Sequence, residues 1–129
     1  MDKTKQIRLA NRNCRKAVEA RQAFKANNLY AERQLAQPMK GLPDLYVVYS
    51  YGEHFPIYVA VIYEHGIVQW YRNEDKYSQS TSRHQSQARP LYVTMEDRST
   101  SALKRLIYDC KYPDRRSNQD PVWLSAHGM

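Results

Sequence analysis

The spacing of apolar and polar positions changes character along the chain. Residues 5–37 are rich in Ala, Arg, Lys, Gln and Leu, with no Gly or Pro before Pro38. Ile7, Ala10, Cys14, Ala17, Val18 and Phe24 make an apolar stripe at helical spacings, which predicts a long N-terminal helix. Asn27-Asn28 is the point where that helix could divide, and Pro38, Gly41 and Pro43 mark the connection after it. From there the pattern becomes β-branched and aromatic. Residues 45–51 (LYVVYSY), 55–63 (FPIYVAVIY) and 67–72 (IVQWYR) are separated by Gly52 and by Glu64-His65-Gly66. Such gaps suit tight turns, so an antiparallel meander is predicted, with residues 91–95 (LYVTM) as a fourth strand. Ser99 or Thr100 then caps a second helix running to about Cys110, with Ala102, Leu103, Leu106, Ile107 and Cys110 on one face. The expected fold is a single-domain α+β chain of 129 residues: a long N-terminal helix (1–37), an antiparallel β-meander of about four strands (45–95), a second helix (99–111) and an irregular C-terminal tail (112–129) that docks through Trp123 or stays mobile.

Between the third and fourth predicted strands lies a segment of different character. Residues 73–90, NEDKYSQSTSRHQSQARP, hold no Gly and only two apolar members, Tyr77 and Ala88. A polar connection of this length inside a small domain is uncommon, and is usually either a functional loop or a disordered one. An antiparallel meander would put its start on the same sheet edge as the turn around Gly52. Gly52 permits the left-handed backbone a tight turn requires, and Glu53 and His54 project from the tip.

Glu53, His54, Arg83 and His84 are therefore expected to converge, and they are the candidate catalytic residues. Two histidines near neutral pKa can take and give a proton in metal-independent phosphodiester chemistry, while Arg83 stabilises charge developing on phosphate. The same region could instead hold a phosphate or a nucleotide without reacting. Tyr51, Tyr77, Ser80, Thr81, Ser82, Arg83, His84 and Gln85 would then form the ligand loop. In a third reading the two histidines hydrogen-bond within the loop and simply shape it. No GxGxxG, P-loop, GxSxG or HExxH pattern is present. Glu74-Asp75 with Glu53 read as solvated carboxylates rather than a cation site, and neither a metal nor a cofactor is expected.

Charge sharpens this picture. The net charge is +7, and residues 1–36 carry nine basic against three acidic side chains, leaving 11 against 10 for the rest. The excess belongs to the predicted helix, where Arg8, Arg12, Arg15, Lys16, Arg21 and Lys25 are the candidate nucleic-acid contacts. Eleven Tyr against two Phe and two Trp predict a core whose rim satisfies hydroxyls with partners or water. Tyr30, Tyr49, Tyr58 and Tyr92 sit at that core edge or serve as stacking platforms. Cys14 and Cys110 lack metal-ligand spacing and read as buried, reduced thiols of a cytoplasmic protein. No apolar run approaches the ~20 residues of a membrane span.

The blocks 49–56 (YSYGEHFP), Trp70-Tyr71, 73–78 (NEDKYS) and 81–87 (TSRHQSQ) together resemble a group of small uncharacterised proteins of phages and mobile elements. The resemblance spans roughly residues 45–90 and implies a genetic setting rather than an activity: a phage accessory protein in the host-cell cytoplasm, acting in counter-defence, including anti-CRISPR action, or in host takeover. The leading expectation is thus a protein that binds nucleic acid or a host nucleoprotein complex. A metal-independent nuclease or phosphotransfer enzyme using His54 and His84 is the alternative, and a self-associating structural protein the third.

Overall fold

The computed structural model describes residues 2–36, 42–76 and 78–112. The strands are β1 (Asp2–Lys3), β2 (Ile7–Arg8), β3 (Phe24–Lys25), β4 (Leu29–Leu35), β5 (Asp44–Ser50), β6 (Pro56–Ile62), β7 (Val68–Asn73) and β8 (Met95–Arg98). The helices are α1 (Cys14–Glu19), α2 (Gln79–Ala88) and α3 (Thr100–Lys111). Seven strands run in the order β2-β3-β4-β5-β6-β7-β8, and β1 pairs β4 outside that path. The pairs β4–β5, β5–β6 and β6–β7 are antiparallel, whereas β2–β3 and β7–β8 are parallel. The sheet is mixed, and each parallel pair is joined through a helix, as parallel neighbours require.

The long N-terminal helix is not formed. Its place is taken by β2, a 3-10 turn at Asn11–Asn13, the six-residue α1, β3 and β4. The helical stripe is real only over Cys14, Ala17 and Val18, which α1 buries. Helix α1 stops before Arg21, whose φ of 53° leaves the helical region. Asn27 and Asn28 then turn the chain between β3 and β4: Asn28 has φ 56°, and Ala26 N–H donates to the Leu29 carbonyl at 2.8 Å. Residues 29–35 have a helix-forming composition, yet they pair with β5 in unbroken register from Leu29↔Ser50 to Gln34↔Leu45. Satisfying the ladder edge of the apolar β5 outweighs local propensity, which differs by less than about 1 kcal/mol per residue among ordinary residues.

The three central predicted strands exist as β5, β6 and β7. Strands β5 and β6 are buried along nearly their whole length because both sheet faces are covered. One cluster joins Cys14, Val18, Phe24, Tyr46, Val48, Tyr58, Trp70 and Ala88 beneath α1 and α2. The other joins Leu45, Val47, Val59, Val61, Tyr71, Leu103 and Leu106 beneath α3. The molecule is therefore three-layered, helices–sheet–helix. The fourth expected strand shifts to Met95–Arg98 and runs parallel to β7 rather than antiparallel to it. This follows from α2, which forms within the supposed polar loop. Ser78 caps it by accepting from Thr81 N–H at 3.1 Å, and Thr81, His84 and Ala88 form its buried stripe.

The second expected helix is present as α3, with Ser99 as its N-cap accepting from Ala102 N–H at 3.2 Å. Both thiols are free and buried, and burial pushes Cys14 up to about 11 and Cys110 to about 12, so they stay protonated at neutral pH. Two core tyrosines donate to backbone carbonyls, Tyr46 to Gln22 at 2.9 Å and Tyr58 to Gln85 at 2.6 Å, so these hydroxyls find protein partners. No described helix is long and apolar enough to cross a membrane. The linker residues Pro38 and Gly41, and the tail from Pro113 onward with Trp123, lie outside the described residues.

Candidate functional site

Strand β5 ends at Ser50 and the chain turns through Tyr51, Gly52, Glu53 and His54 before β6. Ser50 N–H donates to the Phe55 carbonyl at 3.1 Å, and Phe55 N–H to Gly52 at 3.2 Å. The left-handed residue of this turn is Tyr51, with φ 67°, and not Gly52. The absence of a side chain at Gly52 serves another purpose: a Cβ there would stand 3.0 Å from His54 Nδ1, so the glycine makes room for the imidazole.

The turn and the 73–90 segment do meet, through a different set of residues from those expected. His84, only 6% exposed, lies on the inner side of α2 with Nδ1 2.7 Å from Ser50 Oγ. Ser50 Oγ is also 3.4 Å from Thr81 Oγ1, which is itself 3.1 Å from the capping hydroxyl of Ser78. The Tyr51 ring covers His84 at a centroid distance of 5.3 Å. Burial holds the His84 imidazole below its ordinary value, and the nearby Arg83 charge adds to this. Neutral His84 can accept the Ser50 proton at Nδ1, which pins the end of β5 to α2. Ser50 is 1% exposed, so a substrate atom has no open approach to its hydroxyl.

The other catalytic candidates are not gathered around that pair. Glu53 lines a groove on the α3 side with Tyr49, Lys104 and Tyr108, across the sheet from α2. His54 and Arg83 are exposed, and His54 packs its ring beside Gly52. Of the ligand-loop candidates, Thr81 and His84 form the buried contact just described, and the exposed Tyr51 lays its ring against His84. Ser82 and Gln85 face a separate cleft, Ser80 is exposed on the first turn of α2, and Tyr77 lies outside the described residues.

That cleft, about 430 Å³, opens between α2 and the β7–β8 edge. Its walls are Tyr58, Arg72, Asn73 and Glu74 from the sheet side, Lys76, and Ser82, Gln85, Ser86 and Arg89 from α2, with Asp97 on β8. The 82, 85, 86, 89 spacing is one face of a helix. Recognising the segment as a helix would have placed these groups together; treating it as a loop concealed them. Arg72, Lys76, Ser86 and Arg89 were not among the expected site residues.

Arg72 forks onto Asp97, with Nε–Oδ1 2.7 Å and Nη2–Oδ2 3.1 Å. Each strengthens the other's charged form: the bond lowers the Asp97 carboxyl and raises Arg72. Asn73, 3% exposed, closes the cleft floor by donating to the Pro56 carbonyl at 2.7 Å and to Thr100 Oγ1 at 3.0 Å, while its Oδ1 accepts from Asp75 N–H at 2.8 Å. Asp75 in turn accepts from Thr100 N–H at 2.8 Å, which holds its carboxyl below the usual range. With Asp97 engaged by Arg72, Lys76 and Arg89 are, among the described residues, the cleft cations left to meet a ligand anion; Glu74 adds one carboxylate to the same wall, and Ser82, Ser86 and Gln85 supply neutral donors.

The basic N-terminal residues do not share one surface. Arg12 and Lys16 are exposed on the 3-10 turn and α1, and both these elements pack against α2. Arg15 instead caps α2: Nε donates to the Arg89 carbonyl at 2.9 Å and Nη2 to Ser86 at 2.8 Å. Arg21 donates to the Glu19 carbonyl at 3.1 Å and shapes the exit of α1. Arg8 and Lys25 are register partners on β2 and β3. Phe24 points into the core under α1 and α2, so its neighbour Lys25, and Arg8 with it, face the other side of the sheet.

Among the described residues no group of three or more His, Cys, Asp or Glu side chains could hold a metal ion. No family model matches the chain, and no curated protein or solved structure matches it.

Proposed function

We propose that this chain binds nucleic acid, free or within a host nucleoprotein complex, across the face formed by α1 and α2. The observation that carries the reading is the polar cleft: two available cations, Lys76 and Arg89, stand over hydroxyl and amide donors, with exposed Arg12, Lys16 and Arg83 on the same helical layer. Such a surface suits phosphate oxygens, which accept from guanidinium, ammonium and hydroxyl groups alike. The biological setting we attach to it is a phage accessory protein in counter-defence or host takeover, on the resemblance of residues 45–90 alone.

Binding is preferred over phosphodiester cleavage by His54 and His84. A proton-transfer pair must reach the reacting oxygens from open solvent. His84 Nδ1 is occupied by a buried serine, and Glu53 lies across the sheet.

Titration of a labelled oligonucleotide, single-stranded and duplex, at several salt concentrations tests the reading. Log affinity should fall linearly with log salt, and replacing Lys76 and Arg89 together by Ala should reduce that slope by roughly 1 to 2. Absent or salt-independent association would sink it.

A further inference from the structure

The connection from α2 to β8 holds one of two tyrosines with a left-handed backbone among the described residues. Tyr92 is fully exposed (102%) and holds a left-handed φ of 62°. An aromatic residue at positive φ is an outlier, because its Cβ crowds the backbone, and such strain persists where the surroundings impose it. Leu91 (41%) and Val93 (37%) beside it are also exposed, so an apolar tip stands out from a polar surface.

The chain leading into the tip is anchored. Pro90 is buried, the Arg89 carbonyl accepts from Arg15, and Leu91 N–H donates to Glu19 Oε2 at 2.8 Å. Glu19 and Lys16 are three residues apart on α1 and share a face with Arg12 and Arg15. Anchoring through Glu19 engages the acid of that face next to the tip, with Lys16 one turn away on α1 and Arg89 three residues before Tyr92 in the chain. An exposed ring on a basic helical layer complements a ligand with both negative charge and exposed flat faces. Single-stranded nucleic acid has both, whereas duplex bases are already stacked.

We infer that Tyr92 is a stacking residue for an unpaired base of single-stranded nucleic acid whose phosphates lie on the neighbouring cations. This rests on the nucleic-acid reading above and deepens it by naming the strand state and the base contact.

Fluorescence anisotropy with a labelled single-stranded oligonucleotide and its duplex, on wild type, Tyr92→Phe, Tyr92→Ala and Tyr92→Gly, tests it. Tyr92→Phe should bind like wild type. Tyr92→Ala and Tyr92→Gly should weaken single-strand binding by roughly 5- to 150-fold, the range of base–aromatic stacking, with the salt slope unchanged. The Tyr92→Gly protein should melt no lower than wild type, because glycine relieves the positive φ and an exposed ring loses no packing. Wild-type affinity retained in both truncated proteins overturns the stacking role while leaving the cleft reading intact. A wild-type protein that binds neither oligonucleotide overturns both readings. A homo-oligomer that dissociates on Tyr92→Ala, with single-strand affinity unchanged, overturns the inference in favour of self-association.

Discussion

His84 shows how one side chain can satisfy a sequence pattern in an unexpected way. Its place beside Arg83, in a segment full of hydroxyl groups, suggested proton transfer. In the fold it is a buried, largely neutral ring that ties α2 to the end of β5 through Ser50. Its titration is therefore expected to affect stability. Burial lowers its folded-state pKa below the ordinary 6.5, so the unfolded chain binds more protons as pH falls through that region. The stabilisation is complete above pH 6.5 and is lost below it, toward the depressed folded value. Denaturant midpoints of wild type should drop as pH falls through about 6.5 and below, and His84→Gln should flatten that dependence. Equal slopes in the two proteins would show that His84 is not the titrating group. Contact between the 49–56 and 73–90 blocks was legible from the strand order; the identity of the contacting atoms was not. Which side of a residue faces inward depends on α2, and its buried stripe of Thr81, His84 and Ala88 lacks the large aliphatic residues by which helices are usually recognised.

At the scale of elements, two kinds of signal behaved differently. Helix α3 could be read closely because its cap and apolar stripe agree, and both are local. The segment 5–37 also looked helical by composition, yet most of it is strand and turn, because the partners that decide it lie in β5 and in the other N-terminal strands. Short helices here depend on tertiary clamps, as isolated helices of this length are marginal. Arg15 is such a clamp on α2. Arg15→Ala should expose the Ser86 and Arg89 carbonyls, fray the last turn of α2 and cost about 1 kcal/mol of stability. Amide exchange should then speed up in residues 85–89 and leave α3 unchanged. Protection unchanged in those residues would mean that packing alone holds the turn. Arg15→Lys should restore little, since an ammonium cannot fork to two carbonyls as the guanidinium does.

For the whole molecule, the fold redistributes charge that is contiguous in the sequence. Of the six cations expected on one helix, Arg12 and Lys16 lie on elements packed against α2, Arg8 and Lys25 face the opposite side of the sheet, and Arg15 and Arg21 bond to backbone carbonyls. Removing the first pair or the second changes net charge equally. Arg12→Ala with Lys16→Ala should weaken oligonucleotide binding several-fold at low salt, whereas Arg8→Ala with Lys25→Ala should change it little. Equal losses in the two double variants would show that net charge, and not this face, governs binding. The sequence by itself determined β5, β6, β7 and α3, the burial of both cysteines and the basic bias of the first 36 residues, because each depends on the kinds of residue present over a short span. The tertiary structure alone decided the strand fate of the N-terminal segment, the helix inside residues 73–90, the parallel β8, the cleft and the anchored Tyr92 tip. Each of these depends on pairing or packing between residues far apart in the chain, and that energy exceeds the small local preferences a sequence displays.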